Sequence, residues 1–445
     1  MAQEETRAAT EYAEKWGIQS TFEDALTNLM VNHPDDPMGF MYDQIVGKAA
    51  PPVIDKIIGR EVLDALGQPT IQVEVWGFVH GKSEYLGCAS APSCDFCSAD
   101  DSYYLLDSAS SRFHGKGTRQ AVSLVTSVLQ PVIEHRQFHD QRELDSAISS
   151  TDGTMNLKKI GANTALSTSA AIAIAASNIL KTPLYRHLSK SIVNKDTLAM
   201  PKLVFSFFNI LKGPISRVYL IPTPTVPVDD QVRIIGEIYS HYETSMHCPI
   251  YSNGCFLLDA SSLEDILAAV EIAVSGGGHT LGDDVFLGFR GSQEADKQFW
   301  VDMFETSQVV IYAEDPLLFD DKDGWARILA AAADRVVVAM GKGVASRPEK
   351  MTANLECNAV IIRPPQLGTF TRIADTVLQA EKSSKRCVFA CSEVETEDTW
   401  ICDLAIALGA QMIQIGSISK GENIAKINRL LEISRELDSE SKENQ

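Results

Sequence analysis

The feature that most constrains this chain is a rhythm in its second half. Six short apolar runs, Val285 to Phe289, Gln308 to Ala313, Arg335 to Ala339, Ala359 to Arg363, Cys387 to Ala390 and Met412 to Ile415, recur about every 25 residues. Runs of this kind, rich in β-branched residues and lacking polar alternation, read as strands buried on both faces. Helical patterns such as SLEDILAAVEIAV and TRIADTVLQAEK lie between or before them. Alternation of this kind specifies a parallel sheet covered by helices; a β/α barrel suits the spacing, and a doubly wound sheet is the alternative. In a barrel the loops leaving the strand ends form the ligand-binding face. The run QVVIYAEDP ends abruptly at two acids and a proline. A buried carboxylate is costly, so Glu314 is a candidate metal ligand or general acid; a plain Asp315-Pro316 turn is the simpler reading.

The whole chain of 445 residues has room for two or three domains. Its formal charge of -20 argues against nucleic acid or an anionic membrane as the principal partner, since both need basic surface. No apolar stretch is long enough for a membrane span, and MAQEETRAATEYAEK is too acidic for a signal peptide, so a cytoplasmic protein is expected. Nine cysteines, an odd number, fit reduced thiols better than a disulfide framework. Cys94 and Cys97 form a CxxC with Cys88 and His114 only loosely placed, and small loop residues explain them better than zinc or redox chemistry.

Upstream, residues 10–48 read as a helical hairpin. Ser20 and Glu23 form a capping box, and Phe22, Ala25, Leu26, Leu29 and Met30 follow at helical spacing. Asn32-His33-Pro34 ends that helix; Asp36 caps a second with Pro37 at its first position, and Met38, Met41, Tyr42 and Ile45 repeat the stripe. Two helices this short cannot bury both stripes within a monomer, so the segment is expected to dimerise, to hold a partner helix, or to cap the next domain. After a linker at Ala49 to Pro52, IIGREVLDALGQPTIQVEVWGF alternates about a turn at Gly67-Gln68-Pro69 and predicts an antiparallel meander. Thr118 to about His187 reads as helical. The predicted domains are 10–48, an α+β domain at 53–190, a barrel at 198–437 and a disordered tail at 438–445.

The segment TEYAEKWGIQSTFEDALTNLMVNHPDDPMGFMYDQI resembles the dimerisation and docking domain of type II regulatory subunits of cyclic-AMP-dependent kinase, through Ile18, the stripe with Leu26 and Leu29, and the Pro34-Asp35-Asp36-Pro37 turn. That resemblance implies a homodimer or heterodimer whose groove, built from Ile18, Phe22, Leu26, Leu29, Met30, Met38 and Met41, grips an amphipathic helix of a scaffold protein. Many relatives with such hairpins belong to cilia or flagella, which implies an axonemal location.

From Val53 to Leu437 the chain resembles enolase. The anchors are REVLDALGQPT, GKGTRQAV, IGANTALSTSAA with TPLYRHL, the AEDP strand end, QLGT, and ETEDTWICDL followed by ENIAKINRLL. The resemblance implies an α+β domain followed by a β/α barrel, and an enzyme that dehydrates 2-phosphoglycerate with a lysine base, a glutamate acid and two magnesium ions held by three acids.

Most of that machinery is replaced here. Of the metal ligands only Glu314 is matched; the others fall on Arg290 and on Met340 and Gly341. One carboxylate beside an arginine does not hold magnesium, so no metal cofactor is expected. The base aligns with Arg363, which stays protonated and cannot accept a proton. The QEF and DEGG glutamates fall on Val218 and Asn253, the SHRS phosphate grip on Ala390, Cys391, Ser392 and Glu393, the substrate lysine on Gln414, and a metal-binding loop serine on Phe96. The expected result is an inactive enolase relative in which Glu314, Arg290 and Arg363 form an ion pair at the barrel mouth. Residual activity, or binding of a phosphorylated metabolite without turnover, is the alternative.

Overall fold

The computed structural model describes residues 2–93, 102–260, 262–292, 296–342, 344 and 355–443. Its first compact layer is the antiparallel sheet β1 (Val53–Leu63), β2 (Pro69–Val79) and β3 (Lys82–Ser90), in that order. Alternation along β2 buries Ile71, Val73 and Val75 completely. The helix Ala162–Leu180 packs across β2 and β3. Its alanines and serines let that backbone approach the sheet closely, and 15 of its 19 residues are buried.

The following strands are β4 (Lys202–Ile210), β5 (Ile215–Pro222), β6 (Phe256–Leu258), β7 (Val285–Gly291), β8 (Val310–Glu314), β9 (Val337–Met340), β10 (Ala359–Ile362), β11 (Arg386–Ala390) and β12 (Met412–Gly416). They run in the order β12-β11-β10-β9-β8-β7-β5-β4, and pairing of β12 with β4 closes an eight-stranded barrel; β6 adds to β4 outside the ring. All neighbours in the ring are parallel except β5, which is antiparallel to both β4 and β7. Sequence periodicity locates the last six barrel strands but not β4 and β5. Only four residues, 211–214, connect β4 to β5, and Gly213 lies at φ 97. A parallel neighbour needs a crossover of about a dozen residues, so this link permits only a hairpin, whose signal differs from a strand–helix repeat.

Side chains fill the barrel in two layers. Inside are Val204, Tyr219, Ile221, Tyr312, Ala339, Ala359, Ile361, Val388, Ala390 and Met412. The opposite strand faces join the larger core beneath the helices. The N-terminal sheet is keyed onto the barrel through Ser90, whose N–H donates to Asp398 Oδ2 at 2.6 Å and whose carbonyl accepts from Trp400 Nε1 at 3.3 Å.

Two expectations about the termini change. The first helical unit comprises three helices, α1 (Ala2–Lys15), α2 (Ile18–Asn32) and α3 (Pro37–Val46). Ser20 is no cap: α2 begins after Gly17, which lies in the left-handed region, and Ser20 Oγ donates to the Gly17 carbonyl at 3.0 Å. Asp36 does cap α3, accepting from the Gly39 N–H at 3.0 Å with Pro37 at the first position. At the other end, the helix Gly421–Glu443 continues through the expected tail, and Arg186 pairs with Glu440. Among the described residues no helix is long and apolar enough to cross a membrane, and the seven cysteines are free.

The loop after β11 is fixed by a fully buried pair. Lys426 Nζ lies 3.3 Å from Glu395 Oε2 and donates to the Thr396 carbonyl at 2.8 Å, while Glu395 Oε1 accepts from the Ser392 N–H at 2.6 Å. Removing one member of a buried pair strands the other charge. Lys426→Met is therefore expected to cost about 3–5 kcal/mol in a denaturant titration, and Lys426→Met with Glu395→Gln substantially less.

Candidate functional site

Strand register brings the charged residues together before any side-chain geometry is considered. Arg217 on β5 pairs with Arg290 on β7, and Arg290 pairs with Glu314 on β8. All three stand at the carboxyl-terminal mouth of the barrel, because β5 runs backwards and presents its first residues there. Arg363 follows β10 directly and reaches the same point.

Glu314 is completely buried. Its Oε1 accepts from Arg363 Nη2 at 2.6 Å and lies 3.6 Å from Arg290 Nε. Its Oε2 accepts from the Tyr219 hydroxyl and from Gln414 Nε2 at 2.8 Å, and Gln414 Nε2 also donates to the Tyr312 hydroxyl at 2.6 Å. Burial pushes the carboxyl up, but the Arg290 and Arg363 guanidiniums outweigh it and hold Glu314 below its ordinary range. The same burial, beside the Glu314 charge, drives the Tyr219 and Tyr312 phenols well up, so both remain neutral, Tyr219 as a donor to Glu314 and Tyr312 as an acceptor from Gln414.

A second acid extends the cluster. Glu393 receives Arg217 Nη1 and Nη2 at 2.6 and 2.9 Å, Arg290 Nη1 at 3.2 Å and Asn253 Nδ2 at 3.3 Å. Against the upward push of burial, Arg217 and Arg290 lower its carboxyl to about 2. Arg217 Nε donates to Asn209 Oδ1 at 3.0 Å, and Asn209 Nδ2 to Asn253 Oδ1 at 3.0 Å. Charges therefore alternate along the mouth as Arg217, Glu393, Arg290, Glu314, Arg363.

Asp315 stands behind this row, at φ 43 and 2% exposed. Its Oδ1 accepts from the backbone N–H groups of Gly341 and Lys342 at 2.7 and 3.1 Å, while Oδ2 has no hydrogen-bond partner among the described residues. Burial first, and the charge of Glu314 second, push its carboxyl up.

Two positions expected at the site face elsewhere. Val218 lies on the outer side of β5 in the core beneath the helices; with a side-chain period of two, the strand offers Arg217 and Tyr219 to the mouth. Met340 likewise joins the outer core, and it is Gly341 that borders the charges. Cys391 packs against that core with its thiol pushed well up by burial. Phe96, Cys94 and Cys97 lie outside the described residues. Sequence reasoning missed Tyr219, Tyr312 and the Arg217–Glu393 pair. The alternation of Arg217, Tyr219 and Ile221 in RVYLIP was the available signal.

The N-terminal helices expose an apolar face. Phe22 and Leu26 are about half exposed, Met30 68% and Met38 74%, with Ile18, Leu29 and Met41 half-buried beside them. The contact between α2 and α3 includes a polar bond, Asn28 Nδ2 to Gln44 Oε1 at 3.1 Å.

Comparison with known families matches residues 54–188 to the enolase N-terminal domain and residues 291–444 to the enolase C-terminal TIM barrel domain. The chain belongs to the enolase family. The matches leave out residues 1–53 and 189–290, the stretch that holds β4, β5, β6 and all of β7 but its last residue; β4 and β5 are also the barrel strands that sequence periodicity does not locate. The family's magnesium needs several hard oxygen donors in a near-octahedral set. Here both oxygens of Glu314 are engaged, Gly341 offers no side chain, and Arg290 brings positive charge to the strand beside it. This donor set does not fit a divalent cation. No group of three or more His, Cys, Asp or Glu among the described residues is arranged to hold one either.

The charge row has a pH signature. The lowered Glu393 carboxyl stabilises the fold fully above the unfolded value near 4.5, and that stabilisation is lost as pH falls toward 2. Glu393→Gln is expected to cost about 2–3 kcal/mol at neutral pH and to flatten the acid limb of a stability-versus-pH curve.

Proposed function

We propose that this chain is a non-catalytic enolase-family protein in which the barrel is a structural body and the N-terminal helices are the working surface. The observation that carries this reading is the state of Glu314, whose two oxygens are occupied by Arg363, Tyr219 and Gln414, with Arg290 alongside. In place of the family's base stands Arg363, and a guanidinium offers donors but no acceptor for a proton. Loss of a general base costs ~10²–10⁴ in rate, and loss of metal removes further transition-state stabilisation. A cluster of this kind has neither, so no magnesium cofactor is assigned.

The docking half of the reading rests on the exposed stripe from Phe22 to Met38 and on the resemblance of residues 10–48 to a dimerisation and docking domain. Its partner would be an amphipathic helix of a scaffold protein, held by a homodimer or heterodimer of this segment. The axoneme of a cilium or flagellum is the proposed location. The charge of -20 disfavours nucleic acid and anionic membranes as partners.

A second reading keeps the mouth as a binding site. Arg290 and Arg363 are each about a fifth exposed at the mouth. A phosphorylated or carboxylated metabolite bound there without turnover would use those donors.

A coupled assay with 2-phosphoglycerate and magnesium is expected to show no dehydration above background; turnover at ordinary enolase rates would overturn the non-catalytic reading. Calorimetric titration with the same compound, with and without magnesium, tests the second. Deleting residues 1–48 is expected to abolish co-purification with partners and ciliary targeting while leaving the melting temperature of the remainder unchanged. Retained partner binding would defeat the docking role.

A further inference from the structure

Residues 16–47, which span α2, the turn after it and α3, carry five acids, Glu23, Asp24, Asp35, Asp36 and Asp43, and no lysine or arginine. Elsewhere on the surface such acids are paired: Glu74 with Arg60, Glu143 with Arg136, and Asp230 and Glu237 with Arg233. Among the described residues no lysine or arginine pairs with any of the five. Glu23 accepts from the neutral Gln19 amide at 2.8 Å, and Asp36 from the Gly39 N–H. Asp24 faces away from the exposed stripe, into a cleft it shares with Lys48. The other four acids are exposed and border the apolar face. With 3.6 residues per turn, Phe22, Leu26 and Met30 form one stripe, and Glu23, two turns before Met30, lies along its edge. Met38 and Tyr42 continue the stripe on α3, with Asp35 and Asp36 in the turn before them and Asp43 directly after Tyr42.

We infer that this stripe is covered by a basic amphipathic helix of another protein, one whose apolar row is flanked by lysine or arginine. Apolar residues at intervals of four, two of them methionines, fit the row of a partner helix. The acids at the edge, left without cations of their own, attract a basic flank and repel an acidic one. A second copy of this chain fits less well. A two-fold interface uses one patch twice, so Glu23, Asp35, Asp36 and Asp43 would meet a patch that holds acids and no lysine or arginine to answer them. This inference rests on the docking reading above and adds to it the sign of the partner's charge.

The test uses the full-length chain and designed helical peptides that share one leucine row and differ only in its flanks, which are lysine, glutamine or glutamate. Binding is followed by fluorescence anisotropy. The lysine peptide is expected to bind about tenfold tighter than its glutamate twin at about 0.1 M salt, and to lose most of that advantage at about 1 M, where charges are screened. Met30→Gln with Met38→Gln leaves the net charge unchanged and should abolish binding of the lysine peptide. Those side chains are 68% and 74% exposed, so the helices should persist, which circular dichroism checks. Glu23→Gln with Asp35→Asn and Asp43→Asn should bring the lysine and glutamine peptides to equal affinity; Asp36 is spared because it caps α3. Equal affinity of the wild type for the lysine and glutamate peptides, still dependent on Met30 and Met38, would overturn the inference and leave the docking reading standing. Lysine-peptide binding that survives the two methionine changes would reflect the acidic surface at large, and would also overturn it. So would a dimer in sedimentation that those changes disperse, because a second copy would then occupy the stripe. Binding of none of the peptides would fell the docking reading and this inference with it.

Discussion

A carboxylate buried without exposure can remain charged only if its surroundings replace every favourable contact that water would have made. Glu314 meets that condition through groups from five places in the barrel: Tyr219 on β5, Arg290 on β7, Arg363 after β10, Gln414 on β12 and, through Gln414, Tyr312 on β8 itself. β5, β7 and β8 are ladder neighbours, but β10 and β12 do not pair with β8, so the acid links strands that the ladder does not join directly. The barrel is closed by its ladder, but its upper interior is organised by one charge.

That charge in turn explains the row beside it. Arg290 answers Glu314 and also lies within reach of Glu393, and Glu393 is held chiefly by the two-pronged grip of Arg217. Arg290 bridges the two acids, and each acid has a further arginine of its own, Arg217 on Glu393 and Arg363 on Glu314, which limits the cost of burying so many ions in one place. Neutral groups complete the set: the two phenols stay protonated because burial and the adjacent acid oppose their ionisation. The result is a rigid, largely self-satisfied polar layer where an enzyme of this family would keep reactive groups and open coordination positions.

Legibility from sequence followed the physics of each element. Glu314 was readable because a strand end is marked by an abrupt change from apolar to charged residues, whereas Arg290 and Arg363 came from the resemblance to enolase, which aligns the ends of two other regularly spaced strands with them. β4 and β5 escaped because a hairpin lacks that spacing, and the same irregularity put Val218 one residue away from the inward-facing Arg217. A shift of one residue reverses the face, so small register errors in a strand produce complete errors of role. Ser20 misled for a different reason: a capping box is a local pattern, and the left-handed Gly17 started the helix ahead of it. Asp315 looked like a turn residue, and its partly unsatisfied carboxylate appears only when Gly341 and Arg363 are brought beside it by the fold.

The two ends of the molecule show opposite uses of side-chain chemistry. At the mouth, polar groups are buried and almost all are matched, leaving little unmet demand besides Asp315 Oδ2. On α2 and α3 the imbalance is apolar: Phe22, Leu26, Met30 and Met38 stay in solvent although their spacing is that of a core-facing stripe. Isolated short helices gain most of their stability from burying such a stripe, and here α2 and α3 contribute only Ala25 to the buried set. Methionines suit a surface that must accommodate a partner, being flexible and polarizable enough to repack. A chain that satisfies its ancestral site internally while leaving a cohesive apolar face exposed has moved its unfilled contacts from the barrel mouth to its N-terminal helices, and on the reading proposed above that is where its function lies.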